Sequence, residues 1–349
     1  MSKIKVNNSV ALTHADNKAL FDKACAKKII SVSNSAPLVT GGNINAPLGA
    51  LVYVRPKAIE VLTAPQVADK IAKAEQNGKW GDKVVSIKLK EYAGSVAPDD
   101  GLKSDTYNAS TNYATMARGV FNYTTAWRST ELEEITVGAM QEDHRANQLE
   151  ASMRTLAIHR NKFFFDGVST NVDAPVEGLL NASNLGAYTT VQAGVGGDTE
   201  WNSKTPDEIV NDIVDALSAL NAKSAGLSDE GLEGGKGKVV IAVASDSIRA
   251  LDRTNNFGLT ARKLLKEMYG DKVEFVSVPQ MNKADSSSDV MYAIYTEKEI
   301  PTLINSYVEM ARVYPLNVED SQVSQKLSAG TSGCIVQFPM FVVRFNGIG

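Results

Sequence analysis

One stretch decides the fold, STELEEITVGAMQEDHRANQLEASMRTLAIHRNKFFFDGVSTNVDAPVEGLLN, which runs from Ser129 to Asn181. Its start, Thr130 to Glu133, matches a capping box, in which a hydroxyl and a carboxylate satisfy free backbone amides at the beginning of a helix. From Leu132 to Phe163 the side chains of one face recur at alternating steps of three and four residues, and Gly167 is placed to end the helix. The pattern predicts one continuous helix, roughly 50 Å long at about 1.5 Å per residue.

A helix of this length needs neighbours that cover it, and two arrangements fit the spacing. A coiled coil would use the same steps of three and four residues. Glu142 and Arg160 lie on the predicted seam, however, and no heptad pattern continues outside the segment. We therefore expect a long helix that lies across a sheet, followed by a loop that folds back at Glu177 to Asn181.

The composition limits the classes of protein that fit. The 349 residues are 43% hydrophobic and 22% charged, which is typical of a globular protein with a large core. A net charge of −4 argues against a protein that mainly grips phosphates. No apolar run reaches the ~20 residues of a membrane span. The polar start, Met1 to Ser9, carries no secretory signal, so we expect folding in a reducing cytoplasm, with Cys25 and Cys334 as free thiols.

Two segments are candidates for chemistry, and both are better explained as structure. Gly231 to Lys238 is rich in glycine and lysine, but it lacks the spacing of a phosphate loop and precedes a strand instead of following one. Glu142, Asp143 and His144 are neighbours on the predicted helix and point in different directions, while His159 is too distant to share a site with them. We predict no catalytic, cofactor-binding or metal site. A soluble carboxylate-dependent enzyme that uses Glu142 and Asp143 is the alternative from another class.

Two parts of the chain cannot bury their own surfaces. We expect residues 1–50 to form an arm, because Ser31 to Gly49 is rich in Ser, Asn, Gly and Pro. Lys83 to Lys90 alternates polar and apolar residues, and alternation resumes from Tyr113 to Trp127 around a polar tip with turn chemistry at Pro98 to Gly101. The pattern predicts a long hairpin, which alone is marginally stable in water. A mobile surface loop is the alternative, but long irregular loops are usually functional.

The second half of the chain predicts an α/β lobe. Thr205 to Glu208 opens a helix with another capping box, and Lys238 to Ala244 is an apolar run typical of a buried strand. Gly333 to Phe345 is apolar enough for a buried strand, which we expect to return to the core of the first lobe. The other predicted elements are a strand at 58–62, helices at 65–76 and 260–269, strands at 273–278, 290–295 and 306–313, and a loop at 226–237.

The order of these parts resembles that of the major capsid proteins of tailed bacteriophages, whose Hong Kong 97-type fold is shared with encapsulin shells. Asn161 to Gly167 (NKFFFDG) and then Glu177 to Asn181 (EGLLN) are similar to the end of the family's spine helix and the loop after it. Thr205 to Val210, Lys238 to Ala244 and Val342 to Ile348 are similar to its apical helix, apical strand and closing peripheral strand. The resemblance covers nearly the whole chain in order.

The resemblance implies an α+β fold of the Hong Kong 97-like capsid type, with an N-terminal arm, an extended β-hairpin loop, a peripheral domain with a long spine helix, and an α/β axial domain. The implied division is an N-terminal arm at 1–50, a first part of the peripheral domain at 51–83, the extended loop at 84–127, the peripheral domain with the spine helix at 128–185, the axial domain at 186–315, and the C-terminal strands of the peripheral domain at 316–349.

The function that the resemblance implies is that of a major capsid protein, which self-assembles through hexamers and pentamers into the icosahedral head of a tailed bacteriophage and encloses double-stranded DNA. The implied partners are other copies, a separate scaffolding protein, a portal protein, cement or decoration proteins and non-specifically packaged DNA, with no membrane. Assembly would take place in the host cytoplasm and the product would be the virion. An encapsulin-like compartment that packages enzyme cargo is the alternative within the same fold.

Charged residues of the hairpin and of the helix start are the predicted contacts between subunits: Lys90, Glu91, Asp99, Asp100, Lys103, Asp105, Glu131 and Arg145. Some members of the family crosslink a lysine of the extended loop to an asparagine of a neighbour. Lys103 and Asn346 are of suitable types, but no carboxylate catalyst can be assigned to them, so we do not expect the crosslink.

Overall fold

The computed structural model describes residues 66–95, 109–138, 143–168, 176–285, 288–297 and 301–349. The predicted arm, the predicted strand at 58–62 and the predicted hairpin tip lie outside these residues. The helices are α1 (Ala68–Ile71), α2 (Glu131–Gly138), α3 (His144–Asp166), α4 (Pro206–Lys223), α5 (Leu227–Glu233) and α6 (Ala261–Tyr269), with 3₁₀ turns at Ile248–Asp252, Gly270–Lys272, Pro279–Met281 and Pro339–Phe341. The strands are β1 (Lys73–Gln76), β2 (Val84–Ala93), β3 (Ser110–Gly119), β4 (Phe121–Thr130), β5 (Thr189–Thr190), β6 (Gly237–Ala244), β7 (Val273–Val278), β8 (Val290–Glu297), β9 (Leu303–Val313), β10 (Asn317–Glu319), β11 (Gln322–Val336) and β12 (Val342–Asn346).

The first five-stranded sheet is built around β11. One edge of β11 pairs antiparallel with β4 over ten residues, and the other edge pairs with β10 and then with β9, which carries β1 in parallel. The long helix α3 packs on β4 and β11, where Leu156 meets Trp127 and Leu327 in a small apolar core. From Ser328 to Thr331 the residues of β11 are small and buried, which lets the helix lie close to the strand.

The second five-stranded sheet has the order β5-β12-β8-β6-β7 and forms an α/β lobe with α4, α5 and α6. Its central strands are continuous apolar runs, since β6 is buried from Val239 to Ala244 and β8 from Val290 to Tyr295. The capping boxes predicted from the sequence are present. Thr205 accepts from the Glu208 amide at 3.4 Å while the Glu208 carboxylate accepts from the Thr205 amide at 2.7 Å.

The prediction of one continuous helix from Thr130 to Asp166 is wrong. The capping box at Thr130 starts only α2, and α3 begins separately, after an extended residue, Asp143, whose carboxylate accepts from the Ala146 amide at 3.1 Å. The Asp143 carboxylate hydrogen-bonds to a backbone amide that would otherwise bond to the preceding turn of a continuous helix, and this favours a new helix start. Gly138, at the end of α2, is also a weak helix former. At 23 residues α3 is about 34 Å long, not 50 Å.

Two of the predicted strands are each divided between two sheets. The strand expected from Tyr113 to Trp127 is split at Val120 into β3, which pairs with β2, and β4, which pairs with β11. The strand expected from Gly333 to Phe345 is also divided into two strands. Its first part completes β11 in the first sheet, and after the 3₁₀ turn at Pro339 its second part, β12, enters the α/β sheet instead of returning to the first lobe.

Two local predictions were also wrong. The helix expected at 65–76 is the four-residue α1 followed by β1, which pairs in parallel with the distant residues Ile304 to Tyr307. The loop expected at 226–237 contains α5, which starts after Gly226 in the left-handed conformation (φ 88°). In both cases a tertiary contact or a single backbone angle, not the local residue pattern, sets the structure.

Candidate intersubunit surfaces

The hairpin formed by β2 and β3 is a two-stranded ribbon with one apolar face. Ten residue pairs join the strands, from Val84 opposite Gly119 to Ala93 opposite Ser110. Because side chains alternate along a strand, Ile87 and Leu89 share one face with Met116 from the facing strand, and the opposite face is polar. Described residues cover the apolar face only in part, since Leu89 is 40% exposed. The hairpin predicted from the sequence is thus confirmed, as an amphipathic ribbon.

The polar face of the ribbon carries two exposed aromatic side chains among lysines. Tyr92 is 77% exposed and Tyr113 is 74% exposed. Lys90 lies directly opposite Tyr113 in the register, and its ammonium group is 4.7 Å from the centroid of the Tyr92 ring. This distance gives a cation–π contact, which is weak at an exposed site. The ribbon therefore presents tyrosines and lysines on one face, while the other face is aliphatic around Ile87, Leu89 and Met116 and becomes polar at Glu91 and Asn112 further out.

The base of the ribbon is fixed to the body by a buried ion pair. Arg118, near the end of β3, places its guanidinium 2.6 Å from a carboxylate oxygen of Glu177, with side-chain exposures of 5% and 13%. Just beyond Arg118, the Val120 amide donates to the Lys83 carbonyl at 2.9 Å and closes the ribbon. Arg118 lies on the apolar face, so the inner end of that face is directed at the loop after α3 while the outer end is not.

Glu177 is held by groups from three parts of the chain. Its carboxylate accepts from the Ser183 hydroxyl at 2.7 Å and from the Ser183 amide at 3.2 Å, and its carbonyl accepts from the Cys334 amide at 3.0 Å. Burial by itself would raise the pKa of the Glu177 carboxyl, but the Ser183 hydrogen bonds and the Arg118 charge outweigh it and hold the pKa below its usual value. The ribbon, the loop after α3 and β11 therefore meet at this one residue, the first two at its carboxylate and β11 at its backbone carbonyl.

A second exposed apolar surface lies on α2. Leu132 is 75% exposed and Ile135 is 65% exposed, one turn apart on the same side of the helix. The start of α2 is fixed by the capping box, and a bidentate pair between Arg145 and Glu134, at 2.6 and 2.8 Å, joins α2 to α3. That hydrogen-bonded pair lowers the pKa of the Glu134 carboxyl and raises the pKa of the Arg145 guanidinium. The two apolar side chains are therefore presented on a supported helix.

The eight predicted contact residues fall into three groups. Asp99, Asp100, Lys103 and Asp105 lie outside the described residues. Lys90, Glu91 and Glu131 are exposed, the first two on the ribbon and the third in the first turn of α2. Arg145 is exposed as well, but its charge already pairs with Glu134 within the chain. Their role between subunits stays a prediction.

Sequence reasoning missed the features that give these surfaces their form. Arg118 and Glu177 are far apart in the sequence, and no local pattern connects them. The alternation of residues 83–90 predicts one apolar face on β2. The sequence does not give the register between β2 and β3, however, so it cannot show that Met116 lies on the same face as Ile87. The sequence pattern places Leu132 and Ile135 on the aligned face of one continuous helix, whereas in the structure they lie on the separate helix α2 and are exposed.

The described residues contain no group of three or more His, Cys, Asp or Glu side chains that could hold a metal ion. Among the helices of the same residues, none is long and apolar enough to cross a membrane. Asp143, one of the carboxylates considered for catalysis, caps α3, and Cys334 is buried with its thiol pKa raised by burial. Glu142 lies outside the described part of the chain.

Comparisons with known proteins agree with this architecture. Several solved structures have the same fold. The capsid of Myoviridae phage XM1 matches with a TM-score of 0.68 and 14% identity over 88% of this chain and 100% of that one. The capsid of an empty GTA particle matches with a TM-score of 0.57 and 12% identity over 86% and 97% of the two chains. Microbacterium phage Oxtober96 matches with a TM-score of 0.52 and 12% identity over 97% and 99%. No curated protein matches the chain.

Family membership follows from the sequence itself. The family described as Pa193 gp26 major capsid protein matches residues 37–347, which is most of the chain. The match favours a viral shell over an encapsulin-like compartment and a structural protein over an enzyme. The resemblance predicted from short motifs is confirmed, and so is its mixed α and β fold class. This chain belongs to the Pa193 gp26 major capsid protein family, a shell protein of the tailed-phage, Hong Kong 97-type fold.

Proposed function

We propose that copies of this chain join into hexamers and pentamers by laying the β2–β3 ribbon of one subunit over the next, and so close an icosahedral shell around double-stranded DNA. The observation that carries the proposal is the apolar face of the ribbon. Ile87, Leu89 and Met116 share that face, and the described residues of the same chain cover it only in part. A two-stranded ribbon gains stability from a surface that covers it, and a neighbouring subunit supplies one.

The magnitudes support this arrangement. Burying one fully exposed aliphatic side chain is worth about 1.5–3 kcal/mol. Ile87 and Met116 are already half-buried and Leu89 is 40% exposed, so completing their burial contributes on the order of 1–3 kcal/mol in total at each contact. The buried Arg118–Glu177 pair holds the base of the ribbon, which lowers the cost of ordering it when a neighbour binds. A contact between different surfaces of two copies closes into a ring when the rotation between copies allows it.

The other partners are part of the same proposal. Assembly in the host cytoplasm uses a separate scaffolding protein, a portal protein occupies one position in the shell, and cement or decoration proteins bind outside. Packaged DNA is held without sequence preference, which agrees with a net charge of −4 instead of a strongly basic one. The chain acts as a structural protein without an enzymatic step.

A face-specific pair of variants tests the role of the ribbon. In Ile87→Asp a charge replaces an apolar-face side chain, while in the control Ser86→Asp the same charge stands on the exposed polar face, one residue away. Negative-stain electron microscopy of the full chain counts shells and tubes as assembly, circular dichroism checks folding, and nuclease-resistant nucleic acid reports the contents. We expect Ile87→Asp to stay folded without assembling and Ser86→Asp to assemble. Equal assembly by both variants would contradict the proposal.

A further inference from the structure

Four large apolar side chains are exposed in the described part of the α/β lobe, between residues 186 and 297: Val195 (99%), Leu227 (48%), Phe257 (85%) and Met268 (58%). They are not scattered. Val195 and Phe257 lie by the N-terminal end of α4, and Leu227 and Met268 lie by the C-terminal ends of α4 and α6. The lobe therefore carries two apolar surfaces at opposite ends of its helical layer.

At the first end, two loops are braced against the start of α4. The Val195 amide donates to the Glu208 carboxylate at 2.7 Å, and the Asn255 side-chain amide donates to the Asp207 carboxylate at 3.2 Å. Arg253 adds a hydrogen bond at 2.5 Å to the Asn202 carbonyl. These contacts fix both loops to the same helix start.

The loop that carries Phe257 is held at its tip by hydrogen bonds within the loop. The Asn255 side-chain oxygen accepts from the amides of Phe257 and Leu259, both at 3.0 Å, and the Asn255 amide donates to the Leu259 carbonyl at 2.8 Å. Gly258 supplies the left-handed angle that the turn needs, with φ +75°. An aromatic side chain on a braced tip, 85% exposed, loses little entropy on binding. An exposed aromatic side chain on a fixed loop is typical of the anchor residues of protein interfaces, and we call the Phe257 side chain the knob.

At the second end there is a pocket of about 250 Å³ between α4, α5 and α6. Its apolar lining includes Val214, Leu217, Leu220, Leu232 and Tyr269. The exposed residues Leu227 and Met268 are sequence neighbours of lining residues Ser228 and Tyr269. An apolar cavity of about 150 Å³ accepts benzene, so this pocket has room for the ring of one phenylalanine.

The knob of one subunit is badly placed to fill its own pocket. The Phe257 loop is tied to Asp207, in the first turn of α4, whereas the pocket is lined by the later part of that helix, from Val214 to Asn221. Those residues lie about 10–20 Å further along the helix axis at 1.5 Å per residue. A knob and a pocket at opposite ends of one lobe are the elements of a head-to-tail contact between copies.

We propose that Phe257 of each subunit inserts into the pocket between α4, α5 and α6 of the adjacent subunit, so that the α/β lobes join head to tail in a ring. This inference rests on the proposed function, since it needs copies arranged around a common axis. A second copy is the favoured occupant because the chain belongs to a family of major capsid proteins. The charges at the two surfaces are complementary. Asp229, which lines the pocket, is negative, and Arg253, near Phe257, is positive and hydrogen-bonds to the neutral Asn202, so its charge is available to a neighbouring subunit.

Site-specific crosslinking tests the contact in assembled particles. In a Cys25→Ser background, which leaves only the buried Cys334, Phe257→Cys is combined with Leu227→Cys at the pocket rim, and particles are treated with a short bismaleimide. The control combines Phe257→Cys with Val318→Cys, an exposed apolar position in the first sheet. A ladder of covalent oligomers with the first pair and not the second is the expected result. Particles that form normally but give no ladder with the first pair would overturn the contact.

The truncation Phe257→Ala gives an independent measurement without crosslinking. Because the side chain is 85% exposed in the subunit, its loss should leave the subunit folded. Loss of an aromatic anchor should raise the critical concentration for assembly about tenfold or more, while Val318→Ala changes it by less than about twofold. An unchanged critical concentration for Phe257→Ala would contradict the proposal that Phe257 anchors the contact between subunits. Failure of the unmodified chain to assemble would count against the proposed function itself.

Discussion

The buried pair of Arg118 and Glu177 allows a quantitative prediction about the base of the ribbon. In Arg118→Met the guanidinium is lost while the stem is largely kept, and Glu177 stays buried with its two Ser183 hydrogen bonds. Breaking a buried pair by removing one partner costs about 3–5 kcal/mol. We expect a loss of about 3 kcal/mol, at the lower end of that range, because Ser183 still stabilises the carboxylate. Glu177→Gln leaves a buried guanidinium without its counter-charge and should cost as much or more.

The double variant decides whether the two residues act as a pair. Arg118→Met/Glu177→Gln leaves no uncompensated charge, so its loss should be smaller than the sum of the two single losses by about 1–3 kcal/mol. Urea unfolding of unassembled subunits, followed by tryptophan fluorescence, measures all three. Glu274→Gln is the control, since its pair with Lys238 is about half exposed and should contribute at most about 1 kcal/mol. Additive losses in the double variant would refute the pairing.

The same carboxylate predicts a dependence of stability on pH. The pKa of Glu177 in the folded chain lies below its usual value, so its contribution is fully present above the unfolded-state pKa, about 4.3. The contribution is lost as the pH falls through the lower, folded-state pKa. We expect Arg118→Met to show a weaker loss of stability between pH 5 and pH 3, in approximate terms, than the unmodified chain. If the free energy of unfolding fell by the same amount in the two proteins over this pH range, Arg118 would not be the group that lowers the pKa of Glu177.

Three further predictions follow from single residues. Asp143→Ala removes the cap of α3 and should lower the free energy of unfolding by about 1 kcal/mol in urea titrations; no change would mean that the cap is dispensable. Gly178→Ala would place its Cβ 2.2 Å from the Phe165 carbonyl oxygen and should cost about 3 kcal/mol or more by thermal unfolding, whereas Gly186→Ala meets nothing within 4 Å and should be nearly neutral. In a Cys25→Ser background, Cys334 should react with a thiol reagent only on unfolding, because it is buried with a raised pKa; labelling of the native chain would contradict this.

The sequence predicted the elements whose signals are local. Both capping boxes, the apolar run of β6, the helix at 261–269 and the ribbon as a whole are recognisable because each is specified by neighbouring residues. The family resemblance then joined these short signals into one order of parts. A box that starts a helix carries no information about where it stops, however, and the break before His144 depends on a cap that looked like a charged helix face.

The remaining errors lie where partners are distant in the sequence. Most of β11 was missed because Ser328 to Gly333 has no apolar pattern, and these residues become strand through their pairing with β4 and β9. The contact residues were chosen by charge, which marks solvent exposure in general. The knob at Phe257, the apolar face of the ribbon and the pair at Arg118 need the register and the burial of each side chain, which only the folded chain supplies.

Strand β12 lies between β5 and β8, so the α/β sheet is complete only when residues 342–346 have been synthesised. Until then β8, buried from Val290 to Tyr295 in the folded chain, has an open apolar edge of the kind that pairs with other chains. At about 5–20 residues per second, synthesis from the end of β8 to the end of β12 takes a few seconds, during which we expect this edge to be open. We therefore expect each subunit to pass through an aggregation-prone interval before β12 is in place, and a shell of many copies repeats that hazard once for every copy.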